Sequence, residues 1–180
     1  MASIGFSKAI FTIGEKTYTV DKENGGTIDA KISGIANEAT TVDASDIPFY
    51  VYQKGIGSIT CDLTLFDIQS VEGLYEDLYG ITKEDGIALV GADTTPNYTS
   101  LVLVSENHLG KALYFGLTKG KFAHPDLELG TKTSDGKVDP KTVATSGTFI
   151  ADKRGYAYMS AVQSETVTED VFIKKVNNVK

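Results

Sequence analysis

The stretch from Gly26 to Gly86, GTIDAKISGIANEATTVDASDIPFYVYQKGIGSITCDLTLFDIQSVEGLYEDLYGITKEDG, decides how this chain is read. Its clearest strand is Gly57 to Phe66, where Ile59, Cys61, Leu63 and Leu65 alternate with Ser58, Thr60, Asp62 and Thr64. A period of two places one set against a core and the other in water. Thr27 to Ile35 repeats the pattern, with Ile28, Ala30 and Ile32 on one side and Asp29, Lys31 and Ser33 on the other. Between the two strands runs a long connection, Ala36 to Gly55. It carries acids at Glu38, Asp43 and Asp46 and then an apolar-aromatic knot, Ile47, Pro48, Phe49, Tyr50, Val51 and Tyr52. A connection of that length is a binding element or arm more often than a plain link, and its aromatics need cover, either on a neighbour or on the chain's own body. After the strand, Asp67 has the chemistry of a helix N-cap. Ile68, Val71, Leu74, Tyr75, Leu78 and Tyr79 follow three- and four-residue spacing, which predicts a helix ending at Gly80 with Glu72, Glu76 and Asp77 exposed. Gly73 inside it costs on the order of 1 kcal/mol against Ala, so this helix depends on packing against a sheet.

Outward from this stretch the chain stays rich in strands. Ala9–Ile13 and Thr17–Val20 form a hairpin around Gly14, and Asn24, Gly25 and Gly26 make a turn. Further strands are expected at Ile87–Val90, Tyr98–Ser105, Lys111–Phe122, Thr142–Ala151 and Tyr156–Ala161. His124 to Lys141 loses apolar periodicity and reads as a second long polar loop. The tail from Gln163 carries only a weak strand pattern, at Thr166–Val167 and Val171–Ile173, and reads as an ordered arm or a frayed end. The expected fold is mainly β, a β-sandwich or barrel-like body with one flanking α-helix and long loops. Residues 1–161 make the domain and 162–180 a C-terminal extension.

Composition narrows the function. A compact body of 180 residues buries roughly 70% of its unfolded surface, so no second domain is required. Met1 to Phe6 shows no basic and apolar leader pattern, and no apolar run approaches the ~20 residues that span a bilayer, so a cytosol-like setting without membrane is expected. Cys61 is the single cysteine, which excludes an intrachain disulfide and fits a small buried hydrophobe. Net charge is -7, Arg154 is the single arginine and the lysines are scattered, which argues against tight nucleic-acid binding. His108 and His124 are the only histidines, and no nucleophile elbow, phosphate loop, dinucleotide fingerprint or regular calcium-loop spacing occurs. Adjacent acids at Glu76-Asp77, Glu84-Asp85 and Glu169-Asp170 read as solubilising charges. No catalytic, cofactor-binding or metal-binding residue is assigned.

In the order strand, long loop, strand, helix, strands, the chain resembles the major tail proteins of long-tailed bacteriophages, tail-tube subunits of the phi13 type. The resemblance runs from Ile4-Gly5-Phe6 to about Tyr158 and is carried by Asp29–Ser33, by Gly57–Phe66 with the helix ending Asp77-Leu78-Tyr79-Gly80, by Leu113–Phe122 and by Thr148–Ala151. The tail after Tyr158 and the tyrosine-rich arm depart from it. What it implies is a structural virion protein, not an enzyme, made in the host cytoplasm. Its subunits form stacked hexameric rings around a bore lined by a continuous β-barrel, through which DNA is ejected. Tape-measure, tail-terminator and distal tail proteins are implied as partners alongside further copies of the chain.

Strands with one apolar and one polar face can wall a water-filled bore, and shared edges remove exposed strands by closure. Acids and hydroxyls suit such a wall better than a Lys/Arg stripe, since DNA must slide past. On this reading Asp29, Lys31, Ser33, Ser58, Thr60, Asp62 and Thr64 face the lumen. Ile47, Pro48, Phe49, Tyr50 and Tyr52 form an intersubunit arm, and the loop with Pro125, Asp126, Asp135 and Lys137 meets the next ring. A monomeric β-sandwich binding module, or the tube subunit of a contractile bacteriocin-like particle, are the alternatives.

Overall fold

The computed structural model describes residues 3–44, 47–131 and 140–179, and of residues 42–44 and 47–49 the backbone alone. In chain order the elements are β1 (Ile4–Ile13), β2 (Lys16–Val20), β3 (Thr27–Ser33), β4 (Thr40–Ala44), β5 (Ile47–Tyr52) and β6 (Ile59–Leu65). A 3-10 turn (Ile68–Ser70) leads to α1 (Leu74–Tyr79), then β7 (Thr82–Glu84), β8 (Ile87–Leu89), β9 (Thr99–Glu106), β10 (Ala112–Phe122), β11 (Val143–Ile150), β12 (Tyr158–Val162) and α2 (Glu169–Asn177). Eight strands make one antiparallel sheet in the order β2-β1-β9-β10-β11-β6-β3, with β12 also on β10. The hairpins β4-β5 and β7-β8 are separate two-stranded sheets. The chain is therefore mainly β, as its alternation predicts.

Strand β10 belongs to two layers at once. One edge pairs with β9, while along the other Leu113–Leu117 pair with β12 and Lys119–Phe122 with β11. The first layer is thus β2-β1-β9-β10-β12 and the second β10-β11-β6-β3. Between them lie Phe11 and Leu101 from the first and Ile59, Cys61, Leu63 and Phe149 from the second, all fully or almost fully buried. Phe122 joins the two, edge-on to Phe11 at 5.7 Å and to Phe149 at 5.6 Å between ring centroids. Each such side chain contributes about 1.5–3 kcal/mol by leaving water. Ile68, Leu74, Leu78 and Tyr79 close one end of the core.

Several sequence expectations need correction. The helix over 68–79 is broken: Asp67 caps the 3-10 turn by accepting from the Gln69 amide at 3.0 Å, but Gly73 takes a left-handed φ of +80° and the α-helix restarts at Leu74. A glycine that only weakens a continuous helix elsewhere here supplies the bend. Glu76 and Asp77 are half-buried and paired, with Lys83 at 3.0 Å and Lys16 at 2.7 Å, and Asp77 also accepts from the Tyr18 hydroxyl. Ile28 is exposed, because a bulge between Thr27 and Asp29 removes it from the alternation that Ala30 and Ile32 keep.

A further correction concerns the tail, which forms α2 and lies against the outer face of the first layer. Thr168 caps it by accepting from the Val171 amide, Glu169 and Asp170 occupy its first turn, and Lys174 and Lys175 its last. Phe172 and Val176, one turn apart, bury against Ile10, Val102, Val104 and Tyr114. Gly116 makes this approach feasible, since a Cβ there would lie 2.4 Å from Val176 Cγ2. The single arginine fastens the helix end: Arg154 Nη1 donates to the Lys175 carbonyl at 2.8 Å and Nη2 to that of Val176 at 3.0 Å, while Nε donates to Asp152 at 2.6 Å.

Arg154→Ala should therefore lower the urea midpoint by an amount equivalent to about 1.5–3 kcal/mol, the range of charged hydrogen bonds, and reduce helical circular dichroism. Lys16, and then Tyr18, hold the Asp77 carboxyl below the ordinary carboxylate range. A depressed folded value gives stability that is present above the unfolded pKa and lost as pH falls through the folded one. Asp77→Asn should accordingly flatten the loss of urea stability below about pH 4, with little change in that slope's alkaline side.

Candidate functional site

Antiparallel pairing places directly opposed residues on the same face of a sheet. Asp29, Thr64 and Ala144 form one row across β3, β6 and β11, and Lys31, Asp62 and Ser146 form the next. Ser33, Thr60, Thr148 and Lys121 continue into β10, where Lys119 stands opposite Ile150. The six residues assigned from β3 and β6, Asp29, Lys31, Ser33, Thr60, Asp62 and Thr64, thus share one outward face. Ser58 is exposed just before β6. Ser146 Oγ donates to Asp62 Oδ1 at 2.7 Å. The opposite face of β6 is core, and burial, with the Asp62 charge adding to it, pushes the Cys61 thiol up to about 12.

The sequence pattern assigns residues to this face from β3, β6 and the Ser58 that precedes β6. The structure adds Ser146 and Thr148, which the alternation of Val143, Thr145, Gly147 and Phe149 with outward Ala144, Ser146, Thr148 and Ile150 encodes. It also adds Lys119 and Lys121, with Nζ atoms 4.4 and 4.7 Å from the centroid of the Tyr98 ring. Hydroxyl and carboxylate character therefore spans β6 and β11 and gives way to lysine at β10.

The long connection expected to act as an arm contains a β-hairpin. Thr40, Thr41 and Val42 of β4 stand opposite Tyr52, Val51 and Tyr50 of β5, and a register shift then places Asp43 opposite Pro48. Tyr50 and Tyr52, two residues apart, project from one face and Val51 from the other, and they are 56, 51 and 60% exposed. Ile47, Pro48 and Phe49 belong to β5 by backbone, and their side chains lie outside the described residues. The hairpin's base is clasped. Asn37 Nδ2 donates to the Lys54 carbonyl at 2.9 Å and Gln53 Nε2 to that of Asn37 at 2.7 Å. Gly34, at a φ of +74°, runs so close to the start of β6 that a Cβ would meet the Ser58 carbonyl oxygen at 2.2 Å.

In the second loop Pro125 is half-buried and Asp126 exposed, while Asp135 and Lys137 lie outside the described residues. The sequence reads as a polar loop here, but Leu127 and Leu129 are 83 and 84% exposed in it. His124 anchors its start: Nδ1 donates to the Pro125 carbonyl at 2.8 Å, leaving Nε2 to accept from the Tyr75 hydroxyl at 2.7 Å. That is a structural use of the imidazole. Among the described residues no three His, Cys, Asp or Glu side chains converge on a metal position.

No protein-family model matches the chain, and no curated protein matches it.

Gly34→Ala should cost about 2 kcal/mol or more in urea unfolding, because it combines a left-handed backbone with a clash against backbone. Gly14→Ala, at a φ of +61° in open space, should cost only about 1 kcal/mol. Equal losses would show that the clasp at the hairpin base is not tight.

Proposed function

We propose that the chain is a structural subunit that polymerises with itself, the tail-tube protein of a long-tailed bacteriophage. The observation that carries this is the hairpin β4-β5: it pairs with no other strand of the described chain and presents Tyr50, Val51 and Tyr52 to water. Aromatic side chains on an unpaired strand edge are the chemistry of a docking element, since strand addition supplies backbone hydrogen bonds and the rings supply buried area. A second copy provides the complementary surface, and a repeated heterologous contact closes into a ring or extends into a filament.

In the assembly the face of β3, β6, β11 and β10 borders the bore, and α2 stays on the opposite layer. The hairpin docks on an adjacent subunit within the ring. Pro125, Asp126 and the exposed Leu127 and Leu129 meet the next ring. Six copies per ring, stacking into a tube, passage of DNA, the tape-measure, terminator and distal tail partners, and a place in the virion all follow from the resemblance described above. The chain needs no catalytic residue or cofactor for this role.

Sedimentation velocity over a wide concentration range tests the proposal. Wild-type chain should pass from small species to rings or rods, and Tyr50→Ser/Tyr52→Ser should raise the onset concentration at least about tenfold, as loss of two interface aromatics does. A single monomeric species at every concentration, identical in wild type and variant, would leave a monomeric binding module as the better reading.

A further inference from the structure

We propose that Lys119 and Lys121, arrayed over Tyr98 on the polar sheet face, form a binding site for the phosphodiester backbone of duplex DNA. The inference deepens the tube reading and rests on it for which ligand reaches this face. Alternate residues of a strand project together about 6.6–6.8 Å apart, so the two ammonium groups belong to one face of β10. Both lie over the same ring, at 4.4 and 4.7 Å from its centroid. Neither makes an ion pair with a carboxylate among the described residues.

Sharing one ring keeps the two ammonium groups within about 9 Å of each other, so they repel, and the negative ring face offsets this only in part. An anion bridging them removes the repulsion. The neighbours across the sheet are suited to such a ligand: Thr148, Thr60 and Ser33 extend from Lys121 as a row of hydroxyls. Asp62, the acid of the adjoining row, already accepts from Ser146 and stands opposite Lys31. Ammonium and hydroxyl donors without base-reading amides or guanidinium forks match phosphate oxygens and carry no sequence information. Tyr98 holds the two long side chains in place, so less side-chain entropy is lost when the phosphate arrives.

The chain as a whole carries a net charge of -7, which repels DNA and confines contact to this patch. One copy binds weakly and releases quickly. Repetition around and along a bore gives many such contacts, each of them brief, which guides a moving duplex without arresting it.

The test is a fluorescence-anisotropy titration of a labelled, mixed-sequence DNA duplex with the full chain kept dilute enough to stay unassembled. Two phosphate contacts predict an approximately tenfold weaker association at about 200 mM than at about 50 mM salt. Lys119→Ala/Lys121→Ala should bind at least about tenfold more weakly at low salt and lose most of the salt dependence, whereas Lys119→Arg/Lys121→Arg should bind as wild type. Lys22→Ala/Lys153→Ala, which removes two exposed lysines elsewhere, should change nothing, and an uncharged methylphosphonate duplex should not bind. Unchanged affinity in the Lys119→Ala/Lys121→Ala chain, or no binding of wild type at low salt, overturns the site. Because the titration needs no polymer, loss of this site and failure of the chain to form tubes are separate outcomes.

Discussion

The double allegiance of β10 is the constraint on which the rest of this molecule depends. A strand that pairs first with β12 and then with β11 along one edge, while keeping β9 on the other, forces the sheet to part into two layers. Its glycines make that possible. A Cβ at Gly120 would lie 2.4 Å from Phe149 Cδ1, so the core can reach the strand backbone where the layers diverge. Gly116, four residues earlier and on the other side of the first layer, admits α2 at equally short range. The aromatic contacts of Phe122 with Phe11 and Phe149 then bind the layers together.

That division gives the two outer faces different fates. The first layer turns apolar residues both inward and outward, which is why β9 is buried along almost its whole length, and α2 covers the outward set. The second layer turns its large apolar residues mostly inward, and its outward rows are hydroxyls, two aspartates and three lysines, interrupted by Ala144 and the exposed Ile150. A polar sheet face that no helix covers, flanked by a hairpin with exposed tyrosines, suits a wall facing water inside an assembly better than it suits a pocket enclosing a substrate.

Much of this was legible in the residues. Strict alternation in Gly57–Phe66 identified β6, both of its faces and the burial of Cys61 without any tertiary information, because a period of two has one structural meaning. Where the pattern was interrupted the sequence misled. Ile28 keeps the alternation on paper, but a bulge takes it out of register. Gly73 reads as a cost inside a helix, but its left-handed backbone ends one turn and starts another. The weak strand pattern at Thr166–Val167 and Val171–Ile173 points to an arm or frayed end, although Thr168, Glu169, Asp170, Lys174 and Lys175 spell out the charge order of a helix from start to finish. Of the lysines on the sheet face, Lys31 was legible but the two of β10 were beyond reach, since placing Lys119 and Lys121 beside β3 and β6 requires the strand order, a long-range property that local patterns do not contain.

Helical reconstruction by electron cryo-microscopy of the chain at high concentration examines most directly whether the uncovered sheet face lines a bore. The account predicts hollow rods in which Asp62, Thr148 and Lys121 border the channel and Tyr50 and Tyr52 are buried against a neighbouring copy. Rods with that face outward, or isolated globules under every condition, would contradict it.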